Sequence, residues 1–104
     1  MGIYNIQITQ PAENDLYEIR EYIAKELLEP EIARKVITQI IKVINNLENM
    51  PLRNSLVADE RLAYKGIRKI IVDNYIVFYI VTTANKMVTI LRILYSKRNW
   101  IDLL

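Results

Sequence analysis

The stretch GIRKIIVDNYIVFYIV, residues 66–81, decides how this chain folds. Isoleucine, valine, tyrosine and phenylalanine crowd both sides of Asp73-Asn74, and β-branched and aromatic side chains suit a pleated sheet better than a helix. Asp and Asn tolerate positive φ, so the pair forms a two-residue hairpin turn between a strand over 66–72 and another over 75–81. The second of these is apolar on both faces, the pattern of a central strand covered on each side. A third run, residues 87–95, follows a looser turn over 82–86. Together they make a three-stranded antiparallel meander.

Upstream the period changes. Ala12, Leu16, Ile19, Ile23 and Leu27 recur at spacings of four, three, four and four, one face of a helix running to about residue 28. Thr9 is placed to cap that helix, Pro11 fits its first turn, and Glu13 and Asp15 complement its positive end. Pro30 cannot continue the helix but opens a second one, whose stripe is Ala33, Val36, Ile37, Ile40, Ile41, Ile44 and Leu47. The connection is tight, so the two form an antiparallel hairpin. A short alternating segment over 3–8 reads as a strand, residues 52–64 as a polar connection without a clear period, and residues 99–104 as a short helix.

The whole is an α+β fold, β-α-α-β-β-β, with an antiparallel sheet packed on a helical hairpin, one domain over residues 1–104. The helices cover one face of the sheet. The opposite, concave face is expected to be left for another purpose.

Composition removes several kinds of chemistry. The chain has no cysteine and no histidine, which excludes a disulfide, a thiolate metal site and the usual general base near neutral pH. No metal and no cofactor are expected. No apolar run approaches the roughly 20 residues of a membrane span, and the first ten residues do not resemble a secretory signal. A cytoplasmic location without membrane contact is expected.

The charge is unevenly distributed. Residues 1–60 carry six Lys/Arg against ten Asp/Glu, while residues 61–104 carry eight against two. Such a split points to a basic face and an acidic or polyanionic partner, or to a solvated surface whose signs segregate along the chain. Lys65, Arg68 and Lys69 begin the first meander strand. Arg92 lies in the last, on the face shared by Val88, Ile90 and Leu94, and Tyr95, Lys97, Arg98 and Trp100 follow it. Brought to one edge of the sheet, these groups would suit phosphates and bases, or carboxylates of a partner segment. The plainer alternatives are an ion pair between Arg92 and a helix carboxylate, and core packing for Tyr95 and Trp100. Tyr75 and Tyr79 share one side of the central strand and read as core or interface.

Four segments, YNIQITQPAENDLYEIREYI, LLEPEIA, GIRKIIVDNYIVFYIV and VTILRILYSKRNW, resemble the RelE/ParE toxins of type II toxin–antitoxin modules. The likeness runs over essentially the whole chain, and each piece is short, but their order and spacing together are fairly specific. The resemblance implies a cytoplasmic growth inhibitor held inactive by a cognate antitoxin. It touches DNA only indirectly, through the antitoxin complex. RelE-like members cut mRNA on the ribosome, and ParE-like members poison DNA gyrase.

Against the RelE pattern, Ile76 stands where an arginine is expected. Ile67 and Lys69 stand where two lysines are expected. Lys97 and Arg98 match a basic pair, and the terminal IDLL offers no tyrosine. The ending RILYSKRNW is more similar to ParE, which favours the gyrase mode. In the nuclease alternative, Arg68, Lys69, Arg92 and Arg98 would stabilise the phosphate and Tyr95 would act as acid or base, with Lys65, Lys97 and Trp100 binding. A third possibility is a non-toxic antitoxin-binding module.

Overall fold

In the computed structural model, which describes residues 3–104, Thr9 both ends the first strand and starts the first helix. Strand β1 (Asn5–Ile8) runs parallel to strand β4 (Met87–Tyr95), with Ile6 beside Val88 and Ile8 beside Ile90. The Thr9 amide donates to the Ile90 carbonyl at 3.2 Å, and its hydroxyl reaches the carbonyl oxygens of Ile90 and Leu91 at 2.9 and 3.0 Å. The same hydroxyl accepts the Ala12 amide and so caps helix α1 (Gln10–Glu21), in whose first turn Pro11 sits.

The helix expected to run regularly to residue 28 instead leaves the α form at Tyr22 and continues as a π-helical turn, Tyr22–Glu26. The widened turn ends at Leu28, which takes the left-handed conformation at φ 55°. Glu29 is then non-helical (φ −125°, ψ 66°), because the ring of Pro30 disfavours a helical residue before it. Helix α2 (Pro30–Asn46) starts on that proline and returns antiparallel, burying Ala33, Ile40 and Ile44.

Among the described residues the sheet has four strands in the order β1-β4-β3-β2, where β2 is Arg68–Val72 and β3 is Tyr75–Thr82. Asp73 adopts φ 53° in the hairpin turn, as the Asp-Asn pair predicts. Strand β3 lies inside the sheet, as its apolar sequence requires. The parallel β1–β4 pair makes the sheet mixed: the helical hairpin carries the chain from β1 across to β2 at the opposite edge, and the antiparallel meander brings β4 back beside β1.

One face carries the core that the helical stripes predict. Ala12, Ile19, Ile23, Ile40 and Ile44 pack on Val77, Tyr79, Val88, Ile90 and Ile93. The other face, expected to be left for another purpose, is filled by segments of the chain itself. The supposedly polar connection folds into a 3₁₀ turn, Pro51–Arg53, and a short helix α3 (Glu60–Tyr64), and these bring Val57 and Leu62 onto Ile76, Phe78 and Leu94. A 3₁₀ turn at Ile101–Leu103 closes the rest, with Trp100, Leu103 and Leu104 packed there. These segments escape a periodicity search because each contributes single anchors rather than a repeating stripe.

A bulge corrects the assignment of faces on β4. Phe78 pairs with Arg92 but Tyr79 pairs with Ile90, so Leu91 is an extra residue on β4. Val88, Ile90 and Ile93 therefore face the helices, whereas Leu91 and Leu94 pack in the second core. Arg92 stands in the row of Phe78, not with Val88 and Ile90.

Candidate functional site

Arg92 is the best-anchored charge on the sheet. Its guanidinium grips Asp15 of α1 through both carboxylate oxygens, with Nε to Oδ2 at 2.7 Å and Nη2 to Oδ1 at 2.8 Å. Asp15 Oδ2 also accepts the backbone amide of Ile93 at 2.9 Å. That amide lies on the edge of β4 beyond Ile90, where β1 no longer pairs. A third arm, Nη1, reaches the Leu103 carbonyl at 3.4 Å. Helix, strand and C-terminal turn are thus joined at one side chain. The Asp15 side chain is only 5% exposed and that of Arg92 21%, so each needs the other to be tolerable in its place. The hydrogen bond to Asp15 holds the Arg92 guanidinium above its usual range, against the opposing effect of burial.

Asp15 is therefore not chiefly a partner for the helix dipole. Its position in the sequence carried the signal: it lies three residues after Ala12 and four before Ile19, in phase with the buried stripe. A carboxylate on an apolar face calls for a cation.

The remaining predicted site residues do not converge. Arg68 sits level with Tyr79 and Ile90, and its guanidinium donates to the carbonyls of Asn54 at 2.6 Å and Leu52 at 3.3 Å. Lys69 is paired with Phe78 in the next row, and Lys65 is exposed at the end of α3. Lys97 and Arg98 lie past Tyr95, level with the Asp73-Asn74 turn, where the Ser96 amide bonds the Asn74 carbonyl at 2.8 Å. From the row of Ile90 to Tyr95 is roughly 15 Å along the strand at the usual rise. The basic residues therefore form two separate groups instead of one edge. Trp100 packs on Phe78 with ring centroids 5.0 Å apart, which is the core role. Tyr95 is half-exposed and meets Tyr75 edge-on at 6.0 Å.

A groove of about 950 Å³ lies at the end of the sheet near the hairpin turn. Ile19, Ile23 and Val36 of the helices and Ile93 and Leu94 of β4 line it. Tyr22, Tyr75 and Tyr95 line it as well, together with Glu18, Asp73 and Arg98. Burial, with the neighbouring phenols of Tyr95 and Tyr22 adding to it, raises the Tyr75 hydroxyl above its ordinary value. No charge pattern in the sequence marks this place, because Glu18 and Asp73 are brought together only by the fold. Among the described residues no group of three or more Asp, Glu, His or Cys side chains is arranged to hold a metal, and no helix is long and apolar enough to cross a membrane.

Comparison with known proteins gives the same architecture a lineage. The family profile described as "ParE toxin of type II toxin-antitoxin system, parDE" matches residues 6–100. A chain of the chromosomal ParDE system from P. aeruginosa superposes with a TM-score of 0.75 at 21% identity, over 93% of this chain and 100% of that one. A chain of the RelBE2 toxin–antitoxin complex from Mycobacterium tuberculosis gives a TM-score of 0.65 at 20% identity, over 89% of this chain and 98% of that one. At such identities the two structures speak to the fold. No curated protein matches the sequence.

Proposed function

This chain belongs to the ParE toxin family of type II toxin–antitoxin systems, and from that premise we propose that it arrests growth by binding and inhibiting DNA gyrase. In this reading it works in the cytoplasm, needs no cofactor, and is neutralised by a cognate antitoxin. DNA is met only indirectly, through the antitoxin complex.

One observation carries the preference for binding over RNA cleavage: the Arg92 guanidinium is spent on Asp15. A phosphoryl-transfer site needs cationic groups aimed at developing charge, together with an acid and a base near the same atom. On this sheet face Trp100 packs on Phe78, which lies between Lys69 and Arg92 in their row. Ile76 is buried beside it, and Tyr95 stands at the far end of the strand. The exposed Lys97 and Arg98, with half-exposed Tyr95, are instead suited to contact with a target protein. Lys65 and Lys69 offer a second, separate contact.

The test uses purified chain with gyrase, ATP and relaxed plasmid. Loss of supercoiling, or accumulation of cleaved plasmid after detergent and protease, is the expected result. Normal gyrase activity combined with codon-phased cuts in mRNA after induction would replace this reading with the ribosome-dependent mRNA nuclease. Absence of growth arrest on induction would leave only an antitoxin-binding module.

A further inference from the structure

The two edges of the sheet are finished differently. On β2 the outward backbone groups are largely taken. The Val57 amide donates to the Ile67 carbonyl at 3.0 Å, and the Lys69 amide donates to the Ser55 carbonyl at 3.1 Å. Arg68 and Lys69 put charge on the same edge. Charge and a covering segment are two of the means by which proteins keep sheet edges from pairing with other chains.

Strand β1 has neither. It lies at the opposite edge, with β4 as its sole strand neighbour among the described residues. Asn5–Ile8 contains no charged residue and no proline, and its register with β4 has no bulge. The amides of Asn5 and Thr9 donate inward, to the carbonyls of Lys86 and Ile90 at 2.8 and 3.2 Å. Backbone groups alternate in direction along a strand, so the N–H and C=O of Ile6 and of Ile8 point out of the sheet. Among the described residues none of these four groups has a hydrogen-bond partner. The side chains continue the same gap. Ile6 and Ile8 pack on the helix-side core yet are only partly buried, and Ile3, just ahead of them, is 61% exposed. An unpaired ladder beside unfinished apolar packing is suited to one more strand.

We propose that this strand is β1 of a second copy of the chain, so that two four-stranded sheets join edge to edge about a two-fold axis. The inference goes beyond the toxin reading and does not depend on how the chain arrests growth. Charge selects the occupant. A neutral strand meets itself without like-charge repulsion, whereas an acidic or basic partner strand would find no opposite charge along β1. Closure about a two-fold axis sets the two strands antiparallel. One register then uses free groups alone. With Gln7 opposite Gln7 of the second copy, Ile6 and Ile8 of each chain bond Ile8 and Ile6 of the other. A register centred on Ile6 needs the Tyr4 amide, which already donates to the Glu48 carbonyl at 3.0 Å. One centred on Ile8 needs Gln10, which is already in α1. Strands this short bury well under about 1,000 Å², so a Kd on the order of 100 µM is expected.

The register makes the experiment specific. The two Gln7 residues form a non-hydrogen-bonded pair with Cα atoms about 4.5 Å apart, within the span of a disulfide. The chain has no cysteine of its own. Gln7→Cys, at an exposed position, should therefore oxidise to a covalent dimer at about 100 µM chain, the concentration at which half of it pairs. Asn5→Cys should not, because the two copies of residue 5 lie about 13 Å apart in this register. Without oxidant, sedimentation equilibrium should show a reversible dimer of the unmodified chain. Gln7→Lys, which sets two ammonium groups face to face, should raise its Kd at least about tenfold. Mixing Gln7→Lys with Gln7→Glu should restore association, with circular dichroism confirming that each variant is folded.

Equal cross-linking at residues 5 and 7, or none at residue 7, overturns the proposal. So does a chain that stays monomeric at about 500 µM, several times the expected Kd. A dimer indifferent to Gln7→Lys places the contact elsewhere and overturns it as well. Slowed exchange of the Ile6 and Ile8 amides only on addition of a different protein would give the edge to that protein, against a second copy.

Discussion

The two faces of the sheet are both filled, but by different means. On the helix side the core is built by repetition, with α1 and α2 each presenting one residue per turn to Val77, Tyr79, Val88 and Ile90. On the other side it is built by single anchors, Val57 and Leu62 from the connection and Trp100 and Leu103 from the C-terminal turn, set on Ile76, Phe78 and Leu94. Repetition gives many mutually supporting contacts. Single anchors give a cover that can come away piece by piece. Arg92 belongs to both, since it holds α1 through Asp15 and the tail through the Leu103 carbonyl.

The strongest way to break this contrast is therefore at Arg92. Arg92→Ala leaves a buried carboxylate without its cation and should cost about 3–5 kcal/mol in chemical denaturation. Lys97→Ala and Arg98→Ala, which touch solvent, should stay within about 0.5 kcal/mol of wild type. If all three cost the same, Arg92 does not join the two faces. Next in size, Ile40→Ala on the helix side should cost about 2–5 kcal/mol and lower the whole molecule's stability. Trp100→Ala should cost about 0.5–3 kcal/mol. Its amide exchange should speed up near residues 57–67 and 100–104 while the hairpin of helices stays protected. Uniform acceleration would mean that the tail is not a separable cover.

This difference also explains what the sequence could and could not disclose. Thr9, Pro11, Pro30 and the apolar stripes fix the helical hairpin, and Asp73-Asn74 fixes the β2–β3 turn, because each works through local geometry. The second core has no period, so Val57, Leu62 and Trp100 read as loop and tail. The fate of Arg92 turned on a single extra residue, Leu91, which alters the face of everything after it. The charge split along the chain suggested one basic cluster. Strand order disperses it, because an antiparallel neighbour places the start of β2 beside the end of β3 rather than beside the end of β4. The acidic groove is illegible for the same reason, with Glu18 on a helix and Asp73 in a turn.

Tyr79 allows the finest test, since its ring belongs to the repetitive core and its hydroxyl to the aperiodic segment. The hydroxyl donates to the Pro51 carbonyl at 2.7 Å and accepts from the Asn54 amide at 3.0 Å. Tyr79→Phe keeps the ring and should cost about 0.5–1.5 kcal/mol near neutral pH, the usual net worth of a hydrogen bond. Burial raises the Tyr79 hydroxyl above 10.0, and the Asn54 hydrogen bond and nearby Arg68 and Arg53 only partly oppose it. The folded chain then keeps this proton at pH values where the unfolded chain has lost it. The ionisation of Tyr79 accordingly leaves stability unchanged below the unfolded pKa and lowers it as pH rises above about 10. Tyr75 is shifted in the same direction, so the alkaline decline should be shallower in Tyr79→Phe without vanishing. A decline identical in both proteins would mean that the phenol ionises as freely in the fold as outside it, and that the 51–54 segment is not held through Tyr79.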